Sequence, residues 1–200
     1  MQPHGWVGKL FGFSMDVLNG PAHRASVAKL SPQPGDSILE IGYGTGQLVA
    51  YLARATTHGL IAGVDPSELM VTTAQRRNAA GIASGRVDLR LGDAAQLPWP
   101  TQAFDKVVAL HSFQFWADPR AAIDEIARVL KPGGLLLFVL RNHAGRKPST
   151  WLPNPLSRQP DETAAAIRLL QTACFADAQQ DEPFGSSLVI VAHNNGAAPH

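Results

Sequence analysis

Two hundred residues, 45% hydrophobic and 16% charged, are the material of one domain with a sizeable core, which excludes a disordered chain and two independent cores. Seventeen Lys and Arg against sixteen Asp and Glu leave a formal charge of +1, so no basic excess marks nucleic acid or an anionic membrane as the main partner. The single cysteine, Cys174, excludes an internal disulfide and a thiolate zinc site; its expected role is that of a buried small hydrophobe.

The opening Met1-Gln2-Pro3-His4-Gly5-Trp6 lacks the basic start and apolar stretch of a signal peptide. No run approaches the ~18 apolar residues that span a bilayer, so a soluble cytoplasmic protein is the default expectation. Residues 1–30 form a Gly-rich cap segment that turns helix-like from Pro21 to Leu30. Strand-sized apolar runs follow at 37–41, 60–64, 87–91, 106–110 and 135–140. The alternating third run belongs near a sheet edge, and the nearly continuous ones fit strands covered on both faces. Between them lie helical segments. One opens at Gln47, and Ser67 can open another through Asn78, with Leu69, Met70 and Thr73 inward. Asp118-Pro119 is an N-cap with proline at the first helical position. It starts a helix that stripes Ile123, Ile126, Val129 and Leu130 and stops at Pro132-Gly133-Gly134. Residues 141–160, with four prolines, read as a long irregular connection of the kind that is often functional. A helix near 161–173 and closing strands near 176–181 and 187–193 complete the chain, before a frayed tail. Strand–helix–strand repetition argues for an α/β fold, a parallel sheet with helices on both faces.

The informative stretch is Glu40-Ile41-Gly42-Tyr43-Gly44-Thr45-Gly46-Gln47, which leaves the first strand and enters a helix. Glycines there allow a tight turn and close backbone approach to a ligand, and the free N–H groups of the helix start suit negative charge. A dinucleotide fingerprint would need glycine where Gln47 stands, and the Walker Gly-Lys-Ser/Thr is missing. The pattern that stands is acidic-x-Gly-x-Gly-x-Gly. Asp65 follows at the end of the second strand, about 20 residues on, where a carboxylate can accept from both hydroxyls of a ribose.

Four ordered motifs, Leu39-Glu-Ile-Gly-Tyr-Gly-Thr-Gly46, Gly63-Val-Asp-Pro-Ser67, Gly92-Asp-Ala-Ala-Gln-Leu-Pro98 and Arg128-Val-Leu-Lys-Pro-Gly-Gly134, with Phe104-Asp105 before the fourth strand, carry a resemblance. The chain resembles the class I S-adenosylmethionine-dependent methyltransferases, similar to the small-molecule enzymes of ubiquinone and menaquinone biosynthesis. The resemblance implies one methyltransferase domain over 1–200 and a Rossmann-like, doubly wound sheet. That sheet has seven strands, mostly parallel, with the final strand antiparallel. It implies S-adenosylmethionine as cofactor, with S-adenosylhomocysteine as product. Glu40 and the Gly42, Gly44 and Gly46 loop would hold its amino-acid end, and Asp65 its ribose diol, with Pro66 and Ser67 beside it. Asp93 and the Ala94 backbone would meet the adenine, and Leu110 and His111 would border the sulfur. Tyr43 either touches the cofactor or covers the loop, and Gly133-Gly134 are structural.

Methyl transfer to an acceptor needs positioning and water exclusion more than a fixed triad, and a base only where the acceptor loses a proton. His111 and His143, just beyond the fourth and fifth strands, are the candidate bases or acceptor-orienting groups; a structural imidazole is the competing reading. His4, His23, His58, His193 and His200 have no comparable setting, and no pair has metal-ligand spacing, so no metal is expected. Trp6, Phe11, Phe13, Met15, Phe113, Phe115, Trp116 and Trp151 could roof an acceptor pocket, although most such aromatics are core. Aromatic walls suit an apolar, planar or cationic acceptor. The chain length favours a small-molecule acceptor over folded protein or structured RNA, and one cysteine disfavours an arsenic-methylating role. No nucleic acid and no integral membrane segment are expected, and a homo-oligomer is compatible. Two other readings compete: a nicotinamide-dependent oxidoreductase, against which Gln47 and the Gly92–Pro98 motif stand, and a non-catalytic cofactor-binding scaffold.

Overall fold

The computed structural model describes residues 20–141, 153–156 and 161–196. Its strands are β1 (Ile38–Ile41), β2 (Ile61–Asp65), β3 (Val87–Leu91), β4 (Phe104–Leu110), β5 (Leu130–Arg141), β6 (Gln179–Phe184) and β7 (Ser187–His193). They form one seven-stranded sheet in the order β3-β2-β1-β4-β5-β7-β6. β1 to β5 run parallel, and β7 is antiparallel to both β5 and β6. The order reverses beside β1, whose neighbours are β2 and β4. That places the carboxyl ends of β1, β2 and β4 around one crevice, where open α/β sheets bind ligands.

The period-2 alternation of each strand sends its residues to two cores. Leu39, Ile41, Val107, Ala109, Leu136 and Phe138 face one way, with Ile123, Ile126 and Val129 of α5 (Pro119–Val129) and Ala166 and Leu170 of α6 (Glu162–Gln171). Ile38, Ile61, Val108, Leu110, Leu137 and Val139 face the other. There they meet α1 (20–30), α2 (Gln47–Ala55) and α3 (Glu68–Arg77), which α4 (Ala79–Ala83) follows. Helices therefore cover both faces. The alternating β3 is an edge strand, as its sequence requires.

Asp118 caps α5, its Oδ1 accepting from the Ala121 N–H at 3.0 Å, and Pro119 takes the first turn. Asp161 caps α6 in the same way. The Pro132-Gly133-Gly134 stop is different from its expectation. α5 ends at Val129, Leu130 is already extended and paired with Phe104, and regular pairing resumes at Leu135. The intervening residues bulge within β5, where Gly133 N–H donates to the Asn194 carbonyl and Asn194 N–H to that of Gly134. The Arg128–Gly134 motif is a structural joint, further tied by Lys131 to Asp105 at 2.7 Å.

β6 also starts and ends later than 176–181. The Ala178 N–H closes a turn onto the Phe175 carbonyl, so pairing begins at Gln179. The strand then continues through Pro183, because an edge strand does not need that N–H. On α3 the deeply buried position is Ala74, with Leu69 and Thr73 only partly covered. A small residue is selected there by close approach to the glycine loop, since a Cβ on Gly46 would lie 2.8 Å from the Ala74 Cβ. No described helix is long and apolar enough to cross a membrane.

Candidate ligand-binding cavity

β1 delivers Glu40, 2% exposed, to the crevice. The chain then turns through Gly42, Gly44 and Gly46 at φ 76°, 53° and 75°. Gly42 N–H donates to the Val64 carbonyl at 2.8 Å, which holds the loop against β2. A Cβ at Gly42 would stand 2.5 Å from the Ser112 Cβ, so glycine there lets the β1 and β4 ends meet. At Gly44 an added Cβ would meet nothing within 4 Å, and that open side belongs to the cavity. Gly46 is the N-cap of α2, its carbonyl accepting from Asn78 Nδ2 at 3.1 Å.

Asp65 closes β2. Its Oδ2 accepts from the Gly44 N–H and its Oδ1 from the Ser67 N–H, both at 2.9 Å. The carboxylate fixes the glycine loop, and each oxygen keeps a second acceptor site. Burial pushes its pKa above the ordinary carboxylate value, against the downward pull of those two N–H groups. Tyr43 is buried, with its ring against Gly63, where a Cβ would meet Cδ1 at 2.6 Å. Its hydroxyl donates to the Arg90 carbonyl at 3.2 Å. Desolvation, followed by the Asp65 and Glu40 charges, raises its pKa far above the ordinary phenol value, so it stays protonated.

Asp93 follows β3, its Oδ1 accepting from the Ala95 N–H at 2.8 Å. The segment beyond is tied to α5. Arg128 donates to the Leu97 and Trp99 carbonyls at 2.9 and 2.8 Å, and Glu125 accepts from the Leu97 N–H at 2.7 Å. From β4 come Leu110, His111 and Ser112. His111 has φ 53°, unusual for a side-chain-bearing residue, and its Nε2 lies 2.8 Å from Ser187 Oγ at the start of β7.

These elements enclose a cavity of about 330 Å³. Glu40, Gly42, Tyr43, Gly44, Asp65, Pro66, Asp93, Ala94, Leu110 and His111 line it together. Gly46 and Ser67 do not: they start α2 and α3, and Ser67 acts through its backbone on Asp65. His143, Trp6, Phe11, Phe13, Met15 and Trp151 lie outside the described residues. Phe115 and Trp116 line the cavity, while Phe113 is fully buried. Ile41, Thr45, Val64 and Gly92 line it from within the quoted motifs, and His23 of α1, Met70 and Ser112 line it from outside them, unassigned by sequence reasoning. His23, set aside above, is buried with its ring edge-on to Tyr51 at 6.4 Å. Its signal was its place on the helix that packs beside α2; Ser112 could have been found as the second residue after the end of β4. No group of His, Cys, Asp and Glu side chains fit to hold a metal occurs among the described residues.

The charge balance of the lining is one-sided. Glu40, Asp65 and Asp93 supply carboxylates, and no Lys or Arg among the described residues lines the cavity. A ligand carrying cationic centres and hydroxyl groups fits this set.

Residues 39–138 match the model of the methyltransferase domain family. An O-methyltransferase of Pyrenophora dematioidea is 38% identical over 124 residues, 62% of this chain and 42% of that protein. A demethylmenaquinone methyltransferase of Symbiobacterium thermophilum is 40% identical over 113 residues, 56% of this chain and 45% of that protein. The chain thus spans less than half the length of these two curated relatives. A crystal structure of a SAM-dependent methyltransferase from Aquifex aeolicus superposes with a TM-score of 0.68 at 17% identity, covering 86% of this chain and 89% of the other. That likeness is one of fold.

Proposed function

This chain belongs to the family of S-adenosylmethionine-dependent methyltransferases, and we propose that it moves the methyl group to an O, N or C atom of a small-molecule acceptor by in-line displacement. The observation that carries this reading is the cavity's set of three carboxylates, with no Lys or Arg lining it among the described residues, beside a glycine loop open on its ligand side. S-adenosylmethionine bears an ammonium, a sulfonium and a ribose diol, and these are complementary to that set. Against a nicotinamide dinucleotide stands Gln47, at the position where its fingerprint needs glycine.

In this reading Glu40 and the Gly42–Gly44 backbone hold the amino-acid end, and the two remaining acceptor sites of Asp65 take the ribose hydroxyls. Asp93 and the Ala94 backbone receive the adenine edge. Bound S-adenosylmethionine supplies a methyl carbon activated by its sulfonium. The chain's own residues orient and dehydrate the acceptor: Leu110, Phe115 and Trp116 give apolar walls that exclude water. His111 is the acceptor-orienting group, its ring directed by Ser187. The near-neutral total charge favours a small apolar or planar acceptor over nucleic acid. The test is transfer of radiolabelled methyl from S-adenosylmethionine to a panel of phenols, hydroquinones and amines, with Asp65→Ala as control. Label in an acceptor that disappears in the variant supports the reading. Cofactor binding without transfer to any member would favour the scaffold instead.

A further inference from the structure

Within the connection that follows β5, residues 153–156 lie against the turn that carries the cavity's aromatic wall. Asn154 is fully buried, and its hydrogen bonds fall on two places. Its Nδ2 donates to the Phe113 carbonyl at 2.6 Å, and its backbone N–H to the Gln114 carbonyl at 3.4 Å. Its Oδ1 accepts from the Leu156 N–H at 2.9 Å. A buried carboxamide is costly unless its donors and acceptors are paired, so the pairing fixes where the turn sits. Within the turn itself, Phe115 N–H reaches the Ser112 carbonyl at 2.9 Å and Trp116 N–H that of Phe113 at 3.1 Å. Behind it Phe113 packs edge-on to Phe138 at 4.9 Å, and Trp116 stacks on Phe138 at 5.4 Å. In front, Phe115 is 51% exposed at the cavity. An exposed phenylalanine held in a fixed turn beside a cavity is a surface prepared for an apolar partner.

The geometry points to Asn154 as a positioning residue for the acceptor: it sets the Phe113–Trp116 turn, so that Phe115 and Trp116 receive a planar apolar part of the substrate. This rests on the methyltransferase reading of the cavity. Asn154 has no hydrogen bond to Glu40, Gly44, Asp65 or Asp93 among the described residues, so its loss is expected to act first on the acceptor side. A displacement of the wall by about 1 Å is enough to impair a positioned reaction.

The test uses 1-naphthol as a planar apolar probe, titrated by fluorescence into the full chain saturated with S-adenosylhomocysteine. Calorimetry of S-adenosylhomocysteine runs in parallel. Asn154→Asp keeps the acceptor for Leu156 but sets an oxygen against the Phe113 carbonyl; Asn154→Ala removes both side-chain bonds without that repulsion. Either variant is expected to bind 1-naphthol at least tenfold more weakly, with S-adenosylhomocysteine affinity within twofold of the wild type. Unchanged naphthol binding in both variants overturns the proposal, as does a wild type that ignores 1-naphthol. Parallel loss of both affinities, or failure of both variants to fold, makes Asn154 a residue of general stability and overturns it too. A wild type that does not bind S-adenosylhomocysteine defeats the underlying reading as well, and the calorimeter shows this separately.

Discussion

Alanine at position 42 and alanine at position 44 should separate folding from binding. Both glycines have positive φ, so a Cβ at either costs about 1–2 kcal/mol of backbone strain. At Gly42 the new carbon would also stand 2.5 Å from the Ser112 Cβ, and overpacking of that kind adds about 1–3 kcal/mol. Gly42→Ala therefore loses roughly 2–5 kcal/mol in total, and at about 2–4 °C per kcal/mol its Tm falls by on the order of 5–20 °C. At Gly44 nothing lies within 4 Å, so only the strain is lost and Tm drops by a few degrees. The added methyl occupies ligand space instead, and a penalty of about 1–3 kcal/mol there raises the Kd of S-adenosylhomocysteine roughly 5- to 150-fold. Thermal melts and calorimetry on the two variants read these quantities directly. Wild-type affinity in Gly44→Ala would refute the assignment of the loop's open side to the ligand. A Gly42→Ala variant as stable as the wild type would refute the packing argument at the β1–β4 junction.

Asp65→Ala removes hydrogen bonds to a charged group and should weaken S-adenosylhomocysteine by about 1.5–3 kcal/mol; unchanged affinity sinks the ribose assignment. Because burial raises the Asp65 pKa, ligand affinity should begin to fall with pH above the ordinary carboxylate range, as the acceptor oxygens take a proton. Protein stability responds to the same group in the opposite sense: its ionisation cost is absent below the unfolded pKa and complete above the raised folded one. A pH series of calorimetric titrations that is flat down to the ordinary value contradicts this. Asp105 goes the other way. Burial works upward on it, but its bonds to Lys131 and the Ser37 N–H and the charges of Lys131 and Lys106 hold its pKa below the ordinary value. Its stabilisation is present above the unfolded pKa, near 3.9, and is lost as pH falls through the folded one, so Asp105→Asn should flatten the acid limb of a stability profile. Asp118→Ala loses the α5 cap and should cost about 1 kcal/mol in chemical denaturation.

The sheet was legible where residue types left one solution. Apolar runs with Gly and Pro punctuation marked β1 to β5, and Asp118-Pro119 marked α5. Boundaries failed where tertiary contacts decided them: Pro183 is tolerated because β6 is an edge, and Asn194 draws Gly133 and Gly134 into the start of β5. The acidic side of the cavity could be read because Glu40, Asp65 and Asp93 sit at strand ends beside glycines and turns. His23, Met70 and Ser112 could not be read in the same way. They reach the cavity from a helix packed on the sheet, from a helix whose inner face was set by Ala74, and from a side chain whose Cβ lies close to Gly42. Asn154 carried no such signal, because its partners on the turn, Phe113 and Gln114, are some 40 residues earlier in the chain.

The most direct measurement is a parallel calorimetric titration of the protein with S-adenosylmethionine, S-adenosylhomocysteine and NAD. Three carboxylates in the cavity, with Gln47 where a dinucleotide fingerprint needs glycine, predict binding on the order of micromolar Kd for the first two and none for NAD. Binding of NAD alone, or of none of the three, would contradict the account.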